Sequence, residues 1–328
     1  MLRQRGVALI MVLLAMALVV LMAGGMMHKQ GMRIFKTQHY LSQQQGQSVA
    51  LGAEVFAGQI LKTDYEDDKE NSDMSDHPEE AWAKYSAILP LDNNGVAEVQ
   101  IDDLGGRINL NDLFDQQGQV HQLTRDRIER LLRVLGIIDV SVDALIDWMD
   151  SNEQTVSAYG AEDGQYLVQD PSYRAANQPF SSVTELRLIS GMTEEAYTLL
   201  RPHLTVLPVQ GLGINVNMAS AEVIRSLHDE ITQQQAEALI EKRVDAPWAT
   251  VGDFLQEPEF SGRGLQSNGL TVRSYFFEVV SRITVNDRST SLVSKIFRSP
   301  QGEMSTLSRD MSQKNRITKS PYTGEEEG

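Results

Sequence analysis

The chain has 328 residues, with 45 acidic against 29 basic side chains and a formal net charge of −16. Phosphate-tracking surfaces need a basic footprint, so this balance argues against nucleic acid as a partner. Cysteine is absent, which excludes a disulfide framework, a thiolate metal site and a cysteine nucleophile.

Residues 7–27 form a run of 21 without a charged or strongly polar side chain. As a helix such a run spans about 30 Å, the hydrocarbon thickness of a bilayer. Only six residues precede it, and Arg3 and Arg5 among them favour a cytoplasmic amino terminus with the bulk of the chain across the membrane. A secretory signal peptide is the alternative. Its apolar core is normally shorter, about 7–15 residues, and closes on a small-residue cleavage site.

Residues 28–62 read as a continuation of this helix, in which Leu41, Val49, Ala53, Phe56 and Ile60 advance by helical steps as one apolar stripe. Gly46, Gly52 and Gly58 each cost about 1 kcal/mol relative to alanine, so packing on a sheet must stabilise the helix. Residues 64–80 carry nine carboxylates and one lysine, and the region 63–94 is expected to be a solvated acidic loop. A strand is expected over 95–104, with Val99 and Ile101 on one face, after the turn signal Asn93-Asn94-Gly95.

The next strands come near the far end. Residues 275–285 alternate, placing Phe277, Val279, Ile283 and Val285 on one side; Asn286-Asp287 supplies a turn, and 291–297 return. The fold class that follows is α+β: a long N-terminal helix packed on an antiparallel sheet, built from 95–111 and 271–298, with a large all-α domain inserted over 112–270. Residues 299–328 are polar and aperiodic and are expected to be a disordered tail.

The insertion contains a repeat. Ile108-Asn109-Leu110-Asn111 matches Ile214-Asn215-Val216-Asn217, and Pro179-Phe180 matches Pro247-Trp248. Two copies of one small helical module are implied, the first carrying extra residues between Trp148 and Gln178. The paired asparagines are expected to cap the helices that follow them.

The extra segment concentrates hard oxygen donors. Asp150, Asn152 and Glu153 on one side and Glu162 and Asp163 on the other are placed to converge, and calcium takes six to eight such oxygens. The spacing is not that of an EF-hand, since the sixth position lacks glycine and the twelfth is Ala161. A calcium site and a solvated acidic loop both remain open on the residues alone. Leu188-Ile-Ser-Gly191-Met192 is similar to the hairpin of helix-hairpin-helix DNA-binding units, a reading the charge opposes. No Gly-x-Ser-x-Gly, His-Glu-x-x-His, phosphate-binding loop or dinucleotide fingerprint occurs, and the six histidines are scattered, so no enzyme is expected.

Several of these segments carry a family resemblance. Arg3-Gln-Arg5-Gly6 followed by Val7-Ala-Leu-Ile looks like a prepilin cleavage junction. Asp147-Trp-x-Asp150, Gly160-Ala-Glu162, the run from Pro171 to Pro179 and Glu185-Leu-Arg-Leu188 resemble the minor pseudopilin K family of type II secretion systems over most of residues 7–298. The resemblance implies a pseudopilin fold, cleavage by prepilin peptidase after Gly6 and methylation of Val7. It further implies a single-pass inner-membrane anchor with a periplasmic bulk, assembly with minor pseudopilins I and J at the pseudopilus tip, and a structural calcium site in the helical insertion. Two departures stand out: Val7 replaces the common Phe, and Met11 occupies the fifth mature position, where most pseudopilins carry Glu. Lack of that carboxylate is typical of the K subunit. The competing class is a membrane-anchored or secreted periplasmic protein that binds calcium or another ligand through its acidic helical domain.

Overall fold

The computed structural model describes residues 5–92, 95–285, 288–312 and 317–322. Residues 1–4 of the expected leader, the turn signals at Asn93-Asn94 and Asn286-Asp287, and the acidic terminus 323–328 lie outside the described residues.

Helix α1 (Arg5–Asn71) runs for 67 residues, about 100 Å at the α-helical rise. A short α2 (Ala81–Lys84) leads into β1 (Ala87–Leu91) and β2 (Gly95–Asp103). The insertion follows: β3 (Ile108–Asn109), α3 (Gln122–Val134), α4 (Val142–Met149), α5 (Asp163–Tyr166), α6 (Glu194–Leu200), β4 (Leu204–Thr205), β5 (Ile214–Asn215), α7 (Ala221–Ser226), α8 (Gln233–Asp245), α9 (Val251–Leu255) and β6 (Leu270–Thr271). The chain then returns as β7 (Phe276–Val285), β8 (Arg288–Arg298) and β9 (Met304–Asp310).

Strands β1, β2, β7, β8 and β9 form one antiparallel sheet in that order. Its inner face presents Val99, Ile101, Phe277, Val279, Ile283 and Val285, all buried under α1, because alternation places every second side chain on one face. On the outer face Glu98 stands opposite Arg282, joined by two hydrogen bonds of 2.5 and 2.7 Å.

The helix meets the sheet along a stripe that only partly matches the expected one: Ala53 is buried and Val49 and Ile60 pack partly buried against the core, but the line of closest contact is displaced. Gly46, Ala50, Ala53, Ala57 and Leu61 are buried, whereas Leu41 is exposed and Phe56 is more than one-third exposed. Small side chains win because they let the helix backbone approach the strands. A Cβ on Gly46 would lie 2.5 Å from Thr290 Oγ1. The larger apolar residues sit beside the contact line; Phe56 and Ile60 line a hollow with Trp82 and Tyr322.

Two other expectations are corrected. The helix does not stop at residue 62, and the acidic stretch is not a solvated loop: residues 64–71 are its last two turns. Beyond it Asp76 is wholly buried, pairing with Arg298 and accepting a 2.6 Å bond from Ser274 N. Asp64 and Asp76 share a guanidinium, that of Arg298, which lies more than 200 positions away in the chain. The tail is not disordered where it is described either. Strand β9 extends the sheet, and Gln100 Oε1 accepts bonds from Thr318 N and Lys319 N at 2.7 and 2.9 Å. Polar, aperiodic sequence fits an edge strand, which needs backbone pairing more than an apolar face.

In the insertion, the two repeated segments make equivalent contacts. Asn109 Oδ1 accepts from Asn111 N and Asn215 Oδ1 from Asn217 N, and Ile108 and Ile214 each start a two-residue parallel pairing, with β4 and β6 respectively. The expected caps are corrected: Asn109 caps only the 3-10 turn Leu110–Leu113, α3 begins after His121 and α7 is capped by Ser220, while the second asparagine of each pair ties down a distant segment. Asn111 Nδ2 donates to Phe180 O at 3.0 Å, and Asn217 Nδ2 to Trp248 O at 2.9 Å. Each therefore pins the carbonyl of its Pro-aromatic segment to the start of its module.

Candidate functional site

Two features outside the sheet core can do something to a partner or an ion. The first is the exposed part of α1. Every residue from 7 to 41 is exposed, including Val7, Leu14, Leu21 and Met27, at 55%, 69%, 73% and 73%. Among the described residues α1 is the one helix long and apolar enough to cross a membrane, and its most apolar window has no buried share. A run this apolar with no partner within the chain is matched to lipid or to other helices. Gly6 and Val7, the residues of the expected cleavage junction, lie in the first turn of this helix.

The second feature is the loop that follows α4. Ser141 caps this helix, its side chain accepting from Asp143 N, and all eight helical residues are buried, including Asp143 and Asp147. An ionised carboxylate in such a place must be answered by donors or by a cation. Asp143 has ordinary answers: Arg125 Nη2 at 2.9 Å and Ser157 Oγ at 2.6 Å. Asp147 is wrapped by the returning loop, Oδ1 accepting from Val156 N at 2.9 Å and Oδ2 from Ala161 N at 2.8 Å. Gly160 permits this approach, since a Cβ there would fall 2.0 Å from Asp147 Oδ2.

Asp147, Asp150 and Glu162 each offer a carboxylate oxygen within 4.8 Å of the other two. Glu162 is buried and neither of its oxygens has a hydrogen-bond donor. Burial, and then the charges of Asp147, Asp150, Asp163 and Glu153, push its carboxyl up to about 7. Burial, with Asp150 and Asp143, also raises Asp147 above its ordinary value despite two backbone donors. Three oxygens aimed at one point, with one carboxylate lacking any donor, fit a hard divalent cation better than solvent.

Of the five oxygen donors expected from the sequence, the structure brings Asp150 and Glu162 together. Asp163 turns away: its Oδ2 pairs with Arg174 Nη1 at 2.9 Å and its Oδ1 accepts from Ala175 N at 3.1 Å. Asn152 and Glu153 are exposed on the outside of the loop, and Asn152 Oδ1 accepts from Gln154 N at 2.8 Å. Asp147, absent from the expected set, replaces them. The signal was there, because Asp147 and Asp150 are three residues apart at the end of one helix and therefore share a face. Beneath the site Trp148 packs edge-on against Tyr166, and its carbonyl accepts from Asn177 N at 2.9 Å, so the loop closes on an aromatic floor.

Comparison with known proteins gives a consistent picture. Two family models described as type II secretion system (T2SS), protein K, match residues 106–209 and 214–273. The chain is 35% identical to type II secretion system protein K of Pseudomonas aeruginosa, an alignment covering 94% of this chain and 93% of that protein. It is 33% identical to the protein of the same name from Klebsiella pneumoniae, over 78% and 80% of the two chains. Among solved structures it is similar to a chain of the GspK-GspI-GspJ complex from the type 2 secretion system of enterotoxigenic Escherichia coli. There the TM-score is 0.73 at 25% identity, covering 85% of this chain and 99% of the other.

Proposed function

Since the chain belongs to the type II secretion system protein K family, we propose that it is a minor pseudopilin, cut after Gly6 and placed at the tip of the pseudopilus. There it assembles with the minor pseudopilins I and J and supports protein export across the outer membrane. The observation that carries this reading is the division of α1. One continuous helix has an apolar amino-terminal run, residues 7–27, that is exposed throughout, and a carboxy-terminal part that packs on the sheet from Gly46 onward. Such a helix anchors the precursor in the inner membrane and afterwards packs against the corresponding helices of neighbouring subunits. The complex of the Escherichia coli relative supports I and J as the neighbours.

Met11 fits the tip position. A buried carboxylate in an apolar environment is costly unless paired, and a subunit with nothing above it has no amino terminus to pair with. Methionine there removes the cost.

Asp147, Asp150 and Glu162 hold calcium in this reading, which supplies positive charge where Glu162 has no donor. The ion's role is structural: it fixes the loop over residues 150–162 against α4. The protein's work is assembly and contact, without catalysis.

Mass spectrometry of the amino-terminal peptide from membranes of a cell with an active prepilin peptidase tests the reading. A chain beginning at methylated Val7 is expected. An uncut Met1, or a start within or beyond the apolar run, would sink it, the latter in favour of a secreted periplasmic ligand-binding protein.

A further inference from the structure

A second group of carboxylates lies at the other end of the molecule's long helix. Asp64 and Asp68 are one turn apart near the end of α1, Asp76 lies in the segment that follows, and Glu80 immediately precedes α2. Each offers an oxygen within 4.8 Å of the other three. Opposite ligands of a calcium ion, at 2.3–2.6 Å each, are about 4.6–5.2 Å apart, so four oxygens at this spacing suit one ion of that size.

Only part of this charge is answered within the chain. Arg298, at the end of β8, pairs with Asp76, approaches Asp64 Oδ2 at 3.3 Å and donates to Ser274 O at 2.8 Å. Arg273 adds a second guanidinium whose charge acts on Asp68, so four carboxylates face two guanidinium groups, one of them in direct contact. Glu80 feels the Arg298 guanidinium only through space: its side chain is 10% exposed, and Oε2 is buried without a hydrogen-bond partner. The nearby His77 has its Nε2 3.8 Å from Glu80 Oε1, beyond hydrogen-bond distance.

We propose that Asp64, Asp68, Asp76 and Glu80 form a second divalent-cation site of the calcium class, separate from the one at 147–162. Arg298 neutralises and orients Asp76 from one side, and the cation takes the remaining oxygens from the other. The ion staples residues 72–80 to the last turns of α1. Through Asp76, which is bonded to Ser274 N, it also ties that helix end to the segment entering β7. The site thus stiffens the junction at which the long helix hands over to the sheet and the inserted domain.

The test is calcium bound per chain, measured by elemental analysis of the full-length protein in detergent after equilibrium dialysis against millimolar calcium chloride at pH 7.5. Glu80→Gln and Asp68→Asn are each expected to lose one equivalent, both in the parent chain and in a Glu162→Gln background. Asp68 lies on a formed helix and is only partly buried, so its variant decides the matter if Glu80→Gln loses its fold by circular dichroism. Unchanged calcium in Asp68→Asn, or no calcium left in Glu162→Gln alone, overturns the second site. A parent-level loss confined to Glu162→Gln would leave the loop site standing and remove only this one.

Discussion

Arg309 on β9 grips Glu54 on α1 with two parallel bonds, Nε to Oε2 at 2.8 Å and Nη2 to Oε1 at 2.7 Å. The two residues are 255 positions apart, and the carboxylate is buried in the face of the helix that meets the sheet. Ser294 and Thr306 donate to the same carboxylate. Burial alone would raise Glu54, but the bonds from Arg309, Ser294 and Thr306 and the guanidinium charge outweigh it and hold the carboxyl below its ordinary value.

Truncation after Glu303 therefore removes β9 and leaves Glu54 buried with Ser294 as a remaining donor. The unfolding midpoint is expected to fall by several degrees, and Arg309→Ala should reproduce part of that loss. The sign of the pH effect follows from the depressed carboxyl. Its stabilisation is full above about pH 4.5, the ordinary value, and disappears as pH falls through the folded value. Melting curves between pH 3 and 7 should show a smaller acid slope in Arg309→Ala than in the parent. Equal slopes would mean that the clamp contributes nothing.

The loop site behaves oppositely. Glu162 has a carboxyl raised from 4.5 to about 7, so in a chelator the folded state binds the extra proton. Stability is then fully present below pH 4.5 and declines as pH rises through about 7. Calcium should flatten this decline and raise stability by about 2.7 kcal/mol at a hundredfold excess over the dissociation constant. Glu162→Gln should decline less steeply than the parent in chelator and be largely insensitive to calcium at this site. Thermal melts at pH 5 and 8, with and without calcium, check the prediction.

Gly160→Ala is a geometric test of the same loop. The new Cβ would fall 2.0 Å from Asp147 Oδ2, so loop or carboxylate must shift. Calcium titration should show affinity weakened at least tenfold while far-ultraviolet circular dichroism stays unchanged. Retained affinity would indicate that Asp147 does not ligate.

The repeated modules allow a matched pair. Asn217 exchanges two bonds with Trp248, Nδ2 to O at 2.9 Å and Trp248 N to Oδ1 at 3.0 Å. Asn111 donates to Phe180 O and Leu207 O, but its Oδ1 is buried without a partner. Each alanine variant strands two buried backbone groups, at about 2–4 kcal/mol. Asn111→Ala also deletes an unsatisfied oxygen, so chemical denaturation should rank Asn217→Ala as the more damaging.

Much of the sheet could be read along the chain because alternation is a local pattern. Val99, Ile101, Phe277, Val279, Ile283 and Val285 face inward where expected. The paired Ile-Asn segments were legible for a related reason, since the bond between asparagines two residues apart is set by the segment itself. The stripe on α1 was read only in part, because hydrophobicity was counted and closeness was not: Ala53 is buried as expected, but it is Gly46 and the neighbouring alanines that make the contact, and Phe56 stands beside it. Asp147 was legible from its helical spacing to Asp150 and was passed over; Asn152 and Glu153 were chosen instead because nothing local says which way a loop of acids turns.

Composition, charge and periodicity by themselves determined an acidic chain with a membrane-length apolar amino terminus, an alternating sheet and a duplicated helical insertion, since each depends on residues near one another in sequence. Only the tertiary structure decided which acids matter. Asp76 meets Arg298, Glu54 meets Arg309, and Asp147 meets Glu162 across a closed loop. A carboxylate's state is set by what surrounds it in space, and burial together with a distant guanidinium or two other carboxylates leaves no mark on its neighbours in the chain.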